Sequence, residues 1–219
     1  MNVKEMLNKI RPYEENNLSK KQVGINVILF FVIGIVSGIA AKYIDTVPSN
    51  GVIGSTINVI ANIFSQIEIW VLIATIISSW SKTPISAALN VFMFFFGMIL
   101  SYYIYSMKLF GFFPSYYFIY WGLIALLSPF GAYVTWYGRG NGWIAALCAA
   151  LPIGLLMSKG YSFFYLFDIS SGFNLIAAIL LYFILPINKK QCLKILPLAI
   201  VIAFILRHSS ILSYIFGGL

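Results

Sequence analysis

The sequence predicts an all-α fold: a polytopic transmembrane helix bundle of seven spans, or six if one short run does not cross, with the N-terminus inside. Three observations predict it. Of 219 residues, 61% are hydrophobic and 9% charged, against roughly 45–50% and about 25% in soluble globular chains. The mean hydropathy is +0.92. The apolar residues also gather into runs close to the length a bilayer demands, about 20 helical residues per crossing.

That composition excludes an ordinary soluble enzyme or binding domain. A net charge of +8 and a pI of ≈ 9.5 would suit nucleic acid. The basic residues, however, are scattered over tails and loops and do not form one basic face, so no nucleic-acid partner is expected. The expected partner is the lipid bilayer.

Residues 1–21 read as a polar cytoplasmic tail, with Lys4, Lys9, Arg11, Lys20 and Lys21 set against Glu5, Glu14 and Glu15. Residues 22–219 read as a single transmembrane helical domain. The first run covers 25–41. Gly38-Ile39-Ala40 loosely mimics a leader-cleavage site, but the polar segment ahead is long for a leader, so this run is taken as a retained span. The other runs are 67–80, 84–106, 117–137, 143–158, 173–187 and 195–206. Lys82-Thr83-Pro84, Gly111-Phe112-Phe113-Pro114, Gly138-Arg139-Gly140-Asn141-Gly142 and Asn188-Lys189-Lys190 punctuate them. The last run is too short to cross straight unless its helix continues through Ile211, Leu212, Tyr214, Ile215 and Phe216.

Charge orients the bundle. With the N-terminus inside, Lys4, Lys9, Arg11, Lys20, Lys21, Lys82, Arg139, Lys189, Lys190 and Lys194 fall on the cytoplasmic side. Lys42, Lys108, Lys159 and Arg207 fall outside. Ten against four is the bias the positive-inside rule predicts. Small residues at four-residue spacing (Gly34 and Gly38; Ser128 and Ala132; Gly142, Ala146 and Ala150) mark faces where helices approach closely. Those faces serve either the bundle itself or a membrane-protein partner.

The chemistry-bearing residues are few. Cys148 lies in an apolar run and Cys192 among lysines, so no disulfide is expected. His208 is the single histidine, and CxxC and HExxH motifs are absent, so neither a metal nor a cofactor is expected. Asp45, Glu68 and Asp168 map to the outer side. Asn58, Asn62 and Gln66 form one helical stripe leading to Glu68, which reads as a helix in the outer interface or lining a wet cavity. Arg207, if embedded in the last span, requires a carboxylate or a substrate anion, and Glu68 and Asp168 are the candidates. At a helix end it would instead snorkel to water. Asp168 also suits a helix cap. Trp70, Tyr117 and Trp121 belong to an outer-side aromatic cluster that reads as an interfacial belt or as the wall of a pocket. The candidate substrate-binding set is therefore Glu68, Trp70, Tyr117, Trp121, Asp168 and Arg207, with no catalytic residue.

Gly34, Gly38, Trp70, Tyr102-Tyr103, Trp121, Pro129-Phe130-Gly131 and Gly154 together resemble the pattern of an uncharacterised bacterial family of small polytopic integral membrane proteins, over residues 30–165. The chain also resembles, in compactness and apolarity, the substrate-binding membrane subunits of energy-coupling-factor vitamin transporters. Ser37 and Ala41 would supply the small-residue step of their first helix, although those subunits usually have six spans. Intramembrane proteases of the CAAX type need Glu-Glu on a membrane helix, and here Glu14-Glu15 lies in the tail. A rhomboid-type Ser–His dyad would need a GxSx motif, which is absent. The expectation is a non-enzymatic small-solute binding or transport component with an outward-facing site, in a bacterial-type cytoplasmic membrane. The alternative is a scaffold or accessory subunit that docks through its small-residue faces.

Overall fold

A computed structural model describes residues 3–13, 19–48, 51–111 and 113–209. Among these the regular structure is entirely helical: α1 (Val3–Ile10), α2 (Lys20–Thr46), α3 (Gly51–Ser65), α4 (Ile67–Trp80), α5 (Pro84–Phe110), α6 (Ser115–Trp136), α7 (Gly142–Gly160), α8 (Phe163–Leu166), α9 (Ile169–Ile184) and α10 (Lys189–His208). A 3₁₀ turn at Tyr137–Arg139 links α6 to α7.

Five of these helices are long and apolar enough to cross a membrane: α2, α5, α6, α7 (with α8) and α10. A sixth candidate is α3 with α4, a pair bent by 64° at Gln66. The run expected at 173–187 forms α9, which has 16 residues and spans about 24 Å at 1.5 Å per residue. That falls short of a ≈ 30 Å hydrocarbon core, so length and composition give five or six crossing helices where the sequence predicted seven, or six with one short run not crossing. The run at 195–206 is also corrected. Its helix starts earlier, at Lys189, because Asn188 caps it by accepting the Gln191 N–H at 2.8 Å. Residues 14–18 and 210–219 lie outside the described residues, so Glu14, Glu15 and the expected extension through Ile211, Leu212, Tyr214, Ile215 and Phe216 are not placed.

Two sub-bundles share the molecule. In the first, α2, α4, α5 and α6 bury Trp70, Val91, Phe94, Phe95, Met98 and Tyr103. In the second, α7, α9 and α10 close on an alanine-rich core of Ala146, Ala149, Ala150, Ala177, Ala178 and Ala199. α4 lies at the join: Trp70 belongs to the first core, while Leu72 packs on the second.

Gly34 and Gly38 of α2 face the backbone of α5, where a Cβ on either would fall on the carbonyl oxygens of Phe94 and Met98. Gly97 of α5 answers them against Phe31. The Ser101 hydroxyl donates across this seam to the Ile35 carbonyl at 3.0 Å. The small-residue face of α2 is thus occupied within the chain, and so are Ala146 and Ala150 of α7 and Ala132 of α6, all fully or nearly buried.

At the end holding the N-termini of α2, α5, α7 and α10, the expected polar tail contains a docked helix. The Ile10 carbonyl at the end of α1 accepts the Asn141 N–H at 2.8 Å. Arg11 then clamps the bundle, donating to the carbonyls of Trp136 and Ser79 and lying 3.9 Å over the Trp136 ring. Burial, reinforced by nearby Arg139, brings its guanidinium down to about 10, which leaves it charged at neutral pH.

Candidate functional site

The opposite end of the bundle carries the site, and the break at Gln66 builds it. Gln66 adopts extended backbone (φ −87°, ψ 149°) and ends the helical run of α3. The break frees the Phe64 carbonyl, which the Trp70 indole N–H satisfies at 2.9 Å. This bond holds Trp70 edge-on to Phe64 and beneath the first cavity. The same break starts a new helix, so Glu68 stands in the first turn of α4, where the helix dipole favours a negative charge. The polar stripe of α3 does face outward, with Asn58 and Asn62 exposed, and Phe64 turns toward the cavity.

Two cavities adjoin here. The first, ≈ 480 Å³, lies between α2, α3, α4, α5 and α6, and its rings include Phe64, Trp70, Tyr102, Tyr103, Tyr117 and Trp121. The second, ≈ 390 Å³, lies between the α3–α4 break, α7 and the start of α9, and is lined by Gln66, Glu68, Lys159, Ser162, Asp168 and Asn174 among others. Ser65 and Trp121 line both. Each volume falls within the range of small-molecule sites, roughly 300–1,000 Å³.

The polar groups of the two cavities differ in how well they are satisfied. In the first, Lys42 pairs with Asp45 at 2.9 Å, and Tyr102 donates to the same carboxylate oxygen at 3.3 Å. The Lys42 ammonium also lies 5.0 Å from the Tyr102 ring and 4.8 Å from that of Phe110, a favourable position for a cation. In the second, Glu68 is 4% exposed, and the Lys159 ammonium stands 4.0 Å from its Oε1, at the edge of ion-pair range. Asn174, 3% exposed, has a side-chain carbonyl oxygen with no hydrogen-bond partner among the described residues. Gly160 positions Asn174 by close approach: a Cβ there would meet the Leu175 backbone at 2.7 Å, so only glycine lets α9 pack this tightly on the end of α7.

The sequence-selected residues are therefore partly reunited. Trp70, Tyr117 and Trp121 line the first cavity, and Glu68, Trp121 and Asp168 the second. Asp168 is also the cap of α9, its carboxylate accepting the Ser171 N–H at 3.0 Å. Arg207 does not join them. It lies in the exposed last turn of α10, 4.0 Å over the Tyr161 ring, and the cation nearest Glu68 is Lys159. The sequence reading passed over Lys42, Asp45, Tyr102, Lys159 and Asn174 as site residues. A Lys–Asp pair three residues apart inside the end of an apolar run was the available signal for the first two.

Among the described residues, no three of His, Cys, Asp and Glu come within reach of one metal ion. Four serines line the second cavity, while His208 stacks on Phe204 at the end of α10. The arrangement can hold a molecule that carries hydrogen-bond donors and an apolar body.

No curated protein and no solved structure matches the chain, so the likeness to energy-coupling-factor subunits rests on compactness and composition alone. Residues 17–214, nearly the whole length, match the family model described as Family of unknown function (DUF6518), and the chain belongs to that family.

Proposed function

We propose that this chain is a multi-pass protein of the cytoplasmic membrane that binds a small solute at its outer end, as a binding or transport component. One observation carries the reading: Glu68, a buried carboxylate whose ion-pair contact is long, and Asn174, whose buried amide oxygen has no partner among the described residues, line one cavity that shares Trp121 with an adjoining aromatic one. Buried polar groups without partners are destabilising, and a site kept in that condition suits a ligand that supplies the missing contacts. The ten-to-four asymmetry of basic residues supports an N-inside orientation with the cavities outside. In that orientation α9 is a seventh, short span, accommodated by local thinning of the bilayer.

Native mass spectrometry on protein released from very mild detergent tests the reading. The expected result is a stoichiometric small-molecule adduct that Trp121→Ala removes without loss of the folded charge-state envelope. A bound protein subunit with no small adduct would favour the accessory-subunit alternative. A small adduct that survives Trp121→Ala would place binding elsewhere.

A further inference from the structure

The second cavity defines the charge of its ligand. Resting on the solute-binding reading above, we infer that the paired cavities take an organic cation: a compact ammonium group held in the second cavity by Glu68 and Asn174, with an apolar body passing Trp121 into the first.

The argument runs through the acceptors. Glu68 Oε1 has the Lys159 ammonium at 4.0 Å and, among the described residues, no closer cation, whereas a charge-assisted N–H···O⁻ bond closes to about 2.7–2.9 Å. Asn174 Oδ1 is an acceptor with no donor among the described residues. Both residues are more than nine-tenths buried and line one cavity. A carboxylate held only by a long ion-pair contact and an amide oxygen without a partner among the described residues are both completed by a group that only donates, and an ammonium has three N–H bonds and no lone pair to clash with either oxygen.

Charge gives the same answer. Glu68 and Asp168 outnumber Lys159 in the second cavity, while Lys42 and Asp45 neutralise each other in the first. The lining thus carries one net negative charge. Lys159, with a side chain 43% exposed, acts as a resident counter-ion that swings to solvent when a ligand ammonium arrives. The first cavity supplies the rest of the recognition: Phe64, Trp70, Tyr103 and Trp121 offer ring faces to an apolar body and attract a nearby cation.

The test is binding to the full chain in lipid nanodiscs, read by tryptophan fluorescence and calorimetry. The probes are tryptamine, phenethylamine and hexylamine, with indole-3-propionate and 3-methylindole as acidic and neutral counterparts. At least one amine is expected to bind saturably, with Glu68→Gln weakening it tenfold or more, Asn174→Leu weakening it, and Lys159→Met strengthening it. Thermal unfolding of each variant shows whether it is folded, and the ligand series on the unaltered protein decides independently of any variant. Tighter binding of the acid or the neutral indole, lost in Trp121→Ala, overturns the cation assignment and leaves the solute site standing. Binding of no probe, or binding indifferent to both Glu68→Gln and Trp121→Ala, overturns the assignment and the site together.

Discussion

Glu68 and Lys159 face each other across the meeting of α4 and α7, one side chain 5% exposed and the other 43%, with 4.0 Å between oxygen and nitrogen. The pair joins the two sub-bundles at the site, so its energetics differ by partner. Removing the lysine leaves a buried carboxylate uncompensated, a change that costs several kcal/mol for a fully buried pair. Here the lysine is half in solvent and the contact long, so screening reduces the cost to about 1 kcal/mol. Lys159→Met is expected to lower the unfolding midpoint by about 2–4 °C. Glu68→Gln should leave it nearly unchanged, and the double variant should recover the original value. Thermal unfolding in one detergent checks this, and equal losses in both single variants would contradict it.

The α2–α5 seam gives a sharper contrast between glycines. At Gly34 and Gly38 a methyl group has nowhere to go except into α5 backbone, whereas Gly122 and Gly131 of α6 meet nothing within 4 Å. Gly34→Ala and Gly38→Ala must push the helices apart, which costs on the order of 1–3 kcal/mol each as overpacking does. Gly122→Ala and Gly131→Ala should be neutral or stabilise by up to about 1 kcal/mol, the helix-propensity difference. Size-exclusion profiles and unfolding midpoints of the four variants test the contrast. Loss of a partner with the fold intact in Gly34→Ala would show that this face serves another chain as well.

Every apolar run read from the sequence falls largely on a helix, though not with the same bounds, because the membrane imposes on sequence a length and an apolarity that survive without tertiary information. One cap was legible too, Asp168 at the start of α9, while Lys82-Thr83-Pro84 read only as a break, where Thr83 in fact opens α5 through reciprocal bonds with Ser86. Legibility failed where a fact depends on which helices become neighbours. Arg207 read as needing a carboxylate, with Glu68 and Asp168 as candidates, whereas the cation that stands by Glu68 is Lys159. Only the packing of α7 against α4 separates the two cations. Arg207 drew attention as an embedded charge, but α10 ends at His208, which puts Arg207 in the last turn, against the Tyr161 ring. Asn174 gave no signal at all, since an asparagine in an apolar helix looks alike whether it faces a neighbour or a cavity.

Arg11 is expected to control how firmly α1 stays docked. Its planar guanidinium reaches two carbonyls, of Trp136 and Ser79, while stacking on the Trp136 ring, and a lysine cannot reproduce that fork. Arg11→Lys should therefore free α1 locally, exposing the bond after Lys9 to trypsin several-fold faster. The global unfolding midpoint should move little, because among the described α1 side chains Ile10 alone is buried. Cleavage unchanged from the parent would mean that Ile10 and its bond to Asn141 suffice to hold the helix.

The seventh crossing is decided by residues flanking α9. Ser170 stands in its first turn at the cavity end, and Cys192 lies just beyond it, in the first turn of α10 at the end where α1 docks. If α9 crosses, the two positions are on opposite faces of the membrane despite a helix of 16 residues. If it is re-entrant or interfacial, they share a face. In a background with Cys148→Ala, a membrane-impermeant maleimide applied to intact cells should label Ser170→Cys in a chain with Cys192→Ala. It should label the native Cys192 only after permeabilisation, as the N-inside orientation requires. Labelling of both from outside would remove α9 from the spans and reduce the crossing count to six; the reverse pattern would invert the bundle and turn both cavities toward the cytoplasm.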